Sequence, residues 1–185
     1  MKKKIFLFLI FFILGVCIAF PKDRIPYNYR FLEGHIHAGG HPLNPANNFG
    51  NSDAEVLKTL EFLKARGVKV IIDLENTRRI QARYQRLLDQ AGIKRLHMPM
   101  HSLKVPNPKE WAEIKQALNG TAYVHCKWGA DRTGAVLGRY LVEDKGYSPK
   151  DAYSAVITGG AWAGPQGGLK KGLIYQKLKD FIYAR

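Results

Sequence analysis

The chain alternates between short apolar runs and segments in which apolar residues recur at helical spacing. Strand-length apolar runs occur at Phe31–Ala38, Val68–Leu74 and Ala122–His125, and a further strand is predicted at Lys94–Met98. The Val68–Leu74 run is almost continuously apolar, which is typical of a strand covered on both faces. Because helices are predicted between these strands, the pattern indicates an α/β fold with parallel strand pairing.

Helices are predicted where helical spacing coincides with start or stop signals. Ser52 and Glu55 form a capping box for a helix that runs to Arg66, and Gly92 ends the next helix. Asn107–Glu110 caps a third helix. The apolar positions behind the second and third of these predictions are Ile80, Tyr84, Leu87, Leu88 and Ala91, then Trp111, Ile114 and Leu118.

Three more helices complete the prediction. They run from Thr133 to about Asp144, over a short stretch after Ser148-Pro149, and from about Lys170 to Tyr183. At 185 residues and 46% hydrophobic content, the chain is long enough for one core of ordinary size. We therefore predict one α/β domain with a central, mostly parallel sheet flanked by helices.

The N-terminus has the pattern of a secretory signal peptide. Three lysines at positions 2–4 precede the apolar run Ile5–Phe20, and Ala19 follows Cys17 at signal-peptidase spacing. We predict a signal peptide over residues 1–19, a domain over residues 20–185, and export to the periplasm or beyond the cell. The run is short for a membrane-spanning helix, which needs about 20 apolar residues. An uncleaved membrane anchor and lipid attachment at Cys17 remain alternatives.

The segment Val124–Gly134 reads Val-His-Cys-Lys-Trp-Gly-Ala-Asp-Arg-Thr-Gly, between a predicted strand and a predicted helix. Small residues at Gly129 and Ala130 let backbone N–H groups turn toward one point, and the helix N-terminus favours an anion there. Arg132 can bind two oxygens of a phosphoryl group. These surroundings favour the thiolate of Cys126, so we predict a phosphate cradle with a cysteine nucleophile at its floor.

We also predict functions for the residues next to Cys126 and Arg132. Thr133 is placed within reach of the sulfur, where its hydroxyl would stabilise the departing thiolate, and His125 is expected to order the loop through hydrogen bonds. We expect Lys127 to lie beside the cysteine, where its positive charge would bind a second phosphate. We expect Trp128 to lie at the rim of the phosphate cradle, where it would pack on a ring of the substrate. A mobile glycine-rich loop, Thr158–Gly168, is predicted beside the site.

A His-Cys pair, five residues and then Arg-Thr-Gly resembles the signature loop of the cysteine-dependent phosphatases, the protein-tyrosine and dual-specificity superfamily. Tyr29–Gly34, Gly39–Pro42 and Val70–Leu74 resemble the opening of its compact bacterial and fungal members. The resemblance spans most of residues 26 to 183, and it implies a dual-specificity-phosphatase-like fold and a phosphocysteine intermediate without a cofactor. A rhodanese-like sulfurtransferase, which favours a shorter loop, and a catalytically silent phosphate-binding module are the alternatives.

The general acid departs from the family pattern. Members of this superfamily commonly carry an aspartate that acts as general acid a few dozen residues before the cysteine. In this chain no aspartate occurs between Gly92 and Tyr123. The order Gly-x-Asp-Arg-Thr resembles that of myotubularin-like and some bacterial phosphatases, which implies that Asp131 protonates the leaving oxygen. His101 is the second candidate acid, and Glu110 is better explained as a helix-cap partner.

Charge favours an anionic substrate. The formal net charge is +14, and without the three lysines of the predicted signal peptide the basic residues still outnumber the acidic ones by eleven. We predict a polyanionic phosphorylated small molecule, with inositol polyphosphates favoured by resemblance to the phytase-like branch, and a phosphoprotein as the alternative. No nucleic-acid partner is predicted, because no interleaved aromatic and basic ladder occurs. No metal is predicted either, since His35, His37 and His41 lack a partner at ligand spacing.

Overall fold

The computed structural model describes residues 24–45, 48–158, 160–169 and 176–184. The predicted signal peptide and Lys170, the expected start of the last helix, lie outside these residues. The strands are β1 (Arg30–Leu32), β2 (Ile36–Gly40), β3 (Val70–Asp73), β4 (Lys94–His97) and β5 (Ala122–Cys126). The helices are α1 (Asp53–Lys64), α2 (Gln81–Ala91), α3 (Pro108–Leu118), α4 (Asp131–Lys145), α5 (Pro149–Ile157) and α6 (Gln176–Tyr183), with a 3-10 turn at Arg78–Ile80.

The five strands form one sheet in the order β1-β2-β5-β3-β4. β1 pairs with β2 in antiparallel fashion, and all other neighbours are parallel. The predicted α/β fold with a mostly parallel sheet is therefore confirmed. β5 lies at the centre between β2 and β3, so its carboxyl end, which carries Cys126, is flanked by the carboxyl ends of two other strands.

The predicted strand Phe31–Ala38 was wrong in one respect, because it is a hairpin of two strands. Glu33 and Gly34 have φ angles of 53° and 73°, and the amide of His35 donates to the carbonyl of Leu32 at 3.2 Å. Two successive residues with positive φ form the tight turn that suits a two-stranded hairpin. The apolar residues on both sides concealed this turn in the sequence pattern.

Helix ends follow the predicted signals closely. Ser52 and Glu55 bond reciprocally at the start of α1, as do Asn107 and Glu110 at α3. Gly92 takes a left-handed conformation after α2. Each side-chain cap stabilises its helix by about 1 kcal/mol. Only α4 differs in a way that matters for the site, since it begins at Asp131, two residues before the predicted start.

Helices cover both faces of the sheet. Ile71 of β3 packs in a cluster with residues of α1 and α2, whereas its neighbour Ile72 packs in a second cluster with residues of α3 to α6. Both side chains are fully buried, which explains the continuous apolar run of β3. None of the described helices is both long and apolar enough to cross a membrane.

Candidate active site

The nucleophile candidate lies where three parallel strands end. Cys126 is the last residue of β5 and pairs with Gly40 of β2, while His125 pairs with Asp73 of β3. Open α/β sheets bind ligands at the carboxyl ends of their strands. The four residues that follow Cys126 lead directly into α4, so the loop is closed between a buried strand and a helix N-terminus.

Cys126 and Arg132 line one cavity of about 280 Å³. The remaining lining residues are Asn76, His101, Ser102, Lys127, Trp128, Asp131 and Leu178. Cys126 is only 2% exposed, so it forms the floor of this cavity. Six of the loop positions and flanking residues selected from the sequence therefore meet in one place: Cys126, Lys127, Trp128, Asp131, Arg132 and His101.

The loop backbone has the arrangement expected of an anion cradle. Its carbonyl groups are bound from outside: the carbonyl of Lys127 accepts from the His41 amide at 3.2 Å and from Asn44 Nδ2 at 2.7 Å. The carbonyl of Gly129 accepts from Asn28 and Arg30. Within the described residues, the amides of positions 127 to 130 have no acceptor. These free donors are what an oxyanion requires.

Glycine is required at position 129 because the loop passes over another backbone. Gly129 has φ 68°, and a Cβ there would lie 2.2 Å from the carbonyl carbon of Gly39. The loop therefore rests directly on the end of β2. Ala130 follows as the N-cap of α4, and its carbonyl accepts from the amide of Gly134 at 2.6 Å.

Arg132 is held from the far side of the cavity. Nη2 forms an ion pair with Glu75 Oε2 at 2.9 Å, and Nη1 donates to the carbonyls of Leu74 at 3.1 Å and Met100 at 3.2 Å. Nη1 also lies 3.4 Å from Asn76 Oδ1. A guanidinium has five N–H groups, so the Nε–H and one N–H of Nη2 remain without a protein acceptor in the described chain. These two donors are available to a phosphoryl group.

Charge balance keeps Arg132 ionised. Burial opposes its positive charge, but the neighbouring Cys126 and Glu75 more than compensate and raise the pKa of Arg132 above its ordinary value. Glu75 is itself buried, and its Oε1 accepts from the amides of Asn76 and Thr77, each at 3.0 Å. A buried carboxylate with so many donors is a rigid support for the arginine.

Sequence reasoning missed Glu75 and Asp73 as parts of the site. The signal was present: both residues stand at or just after the end of the buried strand β3. Asp73 Oδ2 pairs with Arg95 Nη2 at 2.5 Å, and Asp73 Oδ1 accepts from the Glu75 amide at 2.8 Å. This chain of contacts fixes Glu75, which in turn fixes Arg132.

His125 orders the site without carrying charge. Its Nε2 lies 3.0 Å from the hydroxyl of Tyr84, and its Nδ1 lies 3.7 Å from Asp73 Oδ1. Burial lowers the pKa of His125 to about 4, although the nearby Asp73 opposes this effect. The ring is therefore neutral at physiological pH, and its hydrogen bond with Tyr84 connects β5 to α2. The predicted ordering of the loop by His125 stays a prediction.

One group of buried side chains has the composition of a metal site. His41, Asp73 and His125 offer ligand atoms within 4.8 Å of one another. However, the Leu43 amide donates to His41 Nδ1 at 3.1 Å, so the neutral ring carries its proton on Nε2. Neither nitrogen of His41 then offers a lone pair, and Asp73 is already paired with Arg95. This donor set does not fit a metal ion. His35 and His37, the other histidines considered, do not join this group.

Both candidate acids reach the cavity, by different routes. Asp131 lines it as the first residue of α4. His101 lines it from a tight turn in which its amide and carbonyl both bond to Lys104, at 3.1 and 3.0 Å. The Leu103 amide lies 3.2 Å from His101 Nδ1, so the exposed Nε2 carries the proton of the neutral ring. Glu110 is occupied as a cap partner of α3, as expected.

The side chain of Thr133, the third residue of α4, is fully buried, and its Oγ1 has no hydrogen-bond partner among the described residues. No hydrogen bond therefore joins it to the sulfur of Cys126 in this structure, and its action on the departing thiolate stays a prediction. Trp128 does line the cavity, and its ring packs edge-on against Tyr27 with centroids 5.7 Å apart.

Several basic residues that contribute to the net charge are paired with carboxylates. Arg83 and Arg86 both bind Asp53, each at 2.7 Å, and Lys104 lies 3.5 Å from Glu110. Lys127 is different, since no carboxylate pairs with it in the described part of the chain. Its Nζ lies 5.4 Å from the Trp128 ring and 5.5 Å from that of Phe49. Lys127 thus adds an uncompensated charge to the cavity wall.

Comparison with known proteins gives a consistent family. The family model described as "Polymorphic toxin system, DSP-PTPase phosphatase" matches residues 46–146, more than half of the chain. The comparison with curated proteins gave no significant match.

Solved structures with the same fold include three proteins of low sequence identity. TpbA of P. aeruginosa is 18% identical, with a TM-score of 0.55 over 84% of this chain and 91% of that one. PTPMT1 is 20% identical, with a TM-score of 0.56 over 83% and 93%. The core catalytic domain of the PP-IP phosphatase SIW14 from S. cerevisiae is 20% identical, with a TM-score of 0.53 over 83% and 85%. With the family match over residues that include the cysteine loop, the chain belongs to the DSP-PTPase phosphatase family and is a cysteine-dependent phosphatase of the dual-specificity and protein-tyrosine phosphatase superfamily.

Proposed function

We propose that this phosphatase hydrolyses phosphomonoesters through a phosphocysteine intermediate and that its substrates are inositol polyphosphates. The observation that carries the reaction is that Cys126 and Arg132 line one cavity together with Lys127 and Trp128, whose backbone amides have no acceptor among the described residues. A silent phosphate-binding module would need the amides and a cation, but it would not need a sulfur at the floor of the cavity.

In the first half of the reaction, the thiolate sulfur of Cys126 attacks phosphorus in line with the leaving oxygen. The bond between phosphorus and the leaving oxygen breaks, and Asp131 gives its proton to that oxygen. Arg132 and the loop amides donate to the other phosphoryl oxygens, where negative charge is spread in the transition state.

In the second half, a water molecule attacks the phosphocysteine. Asp131, now a carboxylate, accepts a proton from this water, the bond between sulfur and phosphorus breaks, and inorganic phosphate leaves. Cys126 returns to its thiolate form and Asp131 to its acid form, so both groups are ready for the next turnover.

The role of Asp131 predicts a dependence on the leaving group. For Asp131→Asn, we expect kcat for alkyl phosphates to fall about 10²- to 10³-fold, because an alkoxide leaves poorly without a proton. For p-nitrophenyl phosphate, whose leaving group is a stable anion, the first half needs little acid assistance and kcat should fall less. The measurement is kcat against pH for both substrates.

His101→Asn is the matched control, since His101 lines the same cavity and is the other candidate acid. It should leave the ratio of the two kcat values within about two-fold of the wild-type ratio. If His101→Asn changes the ratio and the pH profile while Asp131→Asn leaves both unchanged, the assignment is reversed.

The preference for inositol polyphosphates is supported by charge. Lys127 and Arg132 line the cavity, and Lys127 has no carboxylate partner in the described chain. A substrate with several phosphates could place one in the cradle and another beside Lys127. The structural neighbour SIW14, which has the same fold, is described as a PP-IP phosphatase.

A competition between substrates tests this preference. We expect kcat/KM for inositol hexakisphosphate to exceed that for a phosphotyrosine peptide at low salt, and the ratio to fall as salt rises, because several charge contacts are screened. In Lys127→Gln, KM for the inositol substrate should rise about ten-fold, against about two-fold for the peptide. Arg83→Gln, which changes a cation bound to Asp53, is the control and should change neither value.

Phosphotyrosine in proteins is the second candidate substrate. The indole of Trp128 lines the cavity and packs against Tyr27, so an aromatic substrate ring has a surface to stack on. TpbA, another neighbour, has been crystallised with phosphotyrosine. A higher kcat/KM for the peptide at both salt concentrations would favour this candidate over inositol polyphosphates.

We also propose that the enzyme is exported, with cleavage after Ala19. The support is the pattern of three lysines followed by the apolar run Ile5–Phe20, and cleavage would leave Cys126 as the only cysteine. The mass and N-terminal sequence of the protein from its native cell fraction test this. A protein recovered from the membrane with residues 1–19 intact would indicate the anchored alternative.

A further inference from the structure

Arg30 is a buried cation that touches the cysteine loop from β1. The residue is 6% exposed, and its Nη1 donates to the carbonyls of Gly129 at 2.8 Å and Asn28 at 3.1 Å. Its Nε and Nη2 are buried and have no hydrogen-bond partner among the described residues. A buried guanidinium with unused donors is costly unless a negative charge lies nearby.

No described carboxylate forms an ion pair with Arg30. Burial lowers the pKa of Arg30 to about 10, and the ionised forms of Cys126 and Tyr123 would act in the opposite direction. Tyr123 stays protonated, because burial raises the pKa of its hydroxyl well above the ordinary value. Of these two neighbours, Cys126 is therefore the one whose anion, the nucleophile of the proposed mechanism, would balance the charge of Arg30.

We propose that Arg30 is a second cation of the phosphate cradle, a positioning residue that stabilises the Cys126 thiolate and holds the loop open through the carbonyl of Gly129. Arg132 acts from within the loop, whereas Arg30 acts from a neighbouring strand. The inference rests on the thiolate nucleophile of the proposed mechanism, but it is independent of which phosphoester is the substrate.

The contacts of Gly129 show how the positioning works. Its carbonyl accepts from Arg30 and from Asn28 Nδ2, the latter at 3.1 Å. Asn28 also donates to the carbonyl of Gly167 at 3.0 Å and accepts from the Gln166 amide at 2.9 Å. Two donors therefore keep this carbonyl turned away from the cavity. The segment predicted as a mobile loop is anchored to the same asparagine.

The charged side chains next to the cysteine loop, apart from Arg30, are paired with each other or neutral. Glu75 pairs with Arg132, Asp73 pairs with Arg95, and His125 is neutral. The remaining titratable groups that line the cavity are Lys127, Asp131 and His101. Without Arg30, the proposed thiolate would depend on Arg132 for a nearby guanidinium. Glu75 already partly neutralises the charge of Arg132.

The test measures the thiolate directly. Cys126 in the full chain is alkylated with iodoacetamide across a pH series, and the modified peptide is quantified by mass spectrometry, which separates it from Cys17. For Arg30→Gln, which keeps a donor for Gly129 but loses the charge, the pH midpoint of alkylation should rise by about one unit or more. The rate at a pH below the wild-type midpoint should fall about ten-fold.

Companion variants separate charge from structure. Arg30→Lys should keep the midpoint within about half a unit, because it keeps the charge. Arg139→Met, which removes a guanidinium that binds Glu143 on α4, should leave the midpoint unchanged. Arg30→Met provides a second neutral variant if Arg30→Gln does not fold.

A folded neutral variant with a lower melting temperature and an unchanged alkylation midpoint would overturn the proposal, since Arg30 would then be structural only. Because alkylation needs no substrate, this result is distinct from failure of the proposed function. A wild-type enzyme that ignores inositol polyphosphates would leave the alkylation test fully informative.

Discussion

Replacement of Cys126 with serine is expected to lower kcat for p-nitrophenyl phosphate by at least about 10⁴-fold. The proposed mechanism needs a sulfur nucleophile at the floor of the cavity, because a thiolate attacks phosphorus far more readily than a hydroxyl does. A serine hydroxyl remains protonated there. Cys126 is the only cysteine among the described residues, so no second thiol of that part of the chain can replace the sulfur.

The measurement is steady-state hydrolysis with and without a metal chelator, alongside thermal unfolding. Cys126→Ser should unfold at nearly the wild-type temperature and should still bind inorganic phosphate or vanadate, since Arg132 and the loop amides are retained. A wild-type protein that binds phosphate but hydrolyses no aryl phosphate would instead be a silent binding module. Residual activity of Cys126→Ser above a few per cent would contradict the phosphocysteine mechanism.

Replacement of Gly129 with alanine is expected to destabilise the protein and to remove most of its activity. The added Cβ would lie 2.2 Å from the carbonyl carbon and 2.3 Å from the carbonyl oxygen of Gly39, both backbone atoms that cannot move aside locally. The loop must lift from β2, which breaks the contacts of Gly129 with Asn28 and Arg30. We expect a loss of at least about 3 kcal/mol in unfolding free energy.

Gly146→Ala is a matched control for this variant. Gly146 has φ 70°, almost the same as the 68° of Gly129, but no atom lies within 4 Å of the position of its added Cβ. It should therefore show only the cost of a left-handed alanine, about 1 to 2 kcal/mol, with activity unchanged. Equal destabilisation of the two variants would mean that φ alone, and not the contact with Gly39, makes glycine necessary at position 129.

Local signals in the sequence predicted most elements well. The capping pairs Ser52 with Glu55 and Asn107 with Glu110 formed as expected, because a cap involves only residues three positions apart. The strands β3 and β5 were found because burial on both faces leaves a mostly apolar run of residues. The hairpin at Glu33 was missed because its turn depends on backbone angles that neither residue type enforces strongly.

The supports of the site were harder to predict, since they come from distant parts of the chain. Glu75 is separated from Arg132 by 57 positions, and Arg30 is separated from Gly129 by 99. Only the sheet order brings these residues together.

By itself, the sequence determined the chemistry of this protein: a cysteine, an arginine and small residues between them, placed after a buried strand and before a helix. The chemistry is local because one short loop carries both the nucleophile and the cation. Only the tertiary structure decided what holds these groups in place, because Glu75 and Arg30 reach the loop from β3 and β1. An ion pair or hydrogen bond between remote segments depends on how the sheet is assembled, and no periodicity along the chain encodes that order.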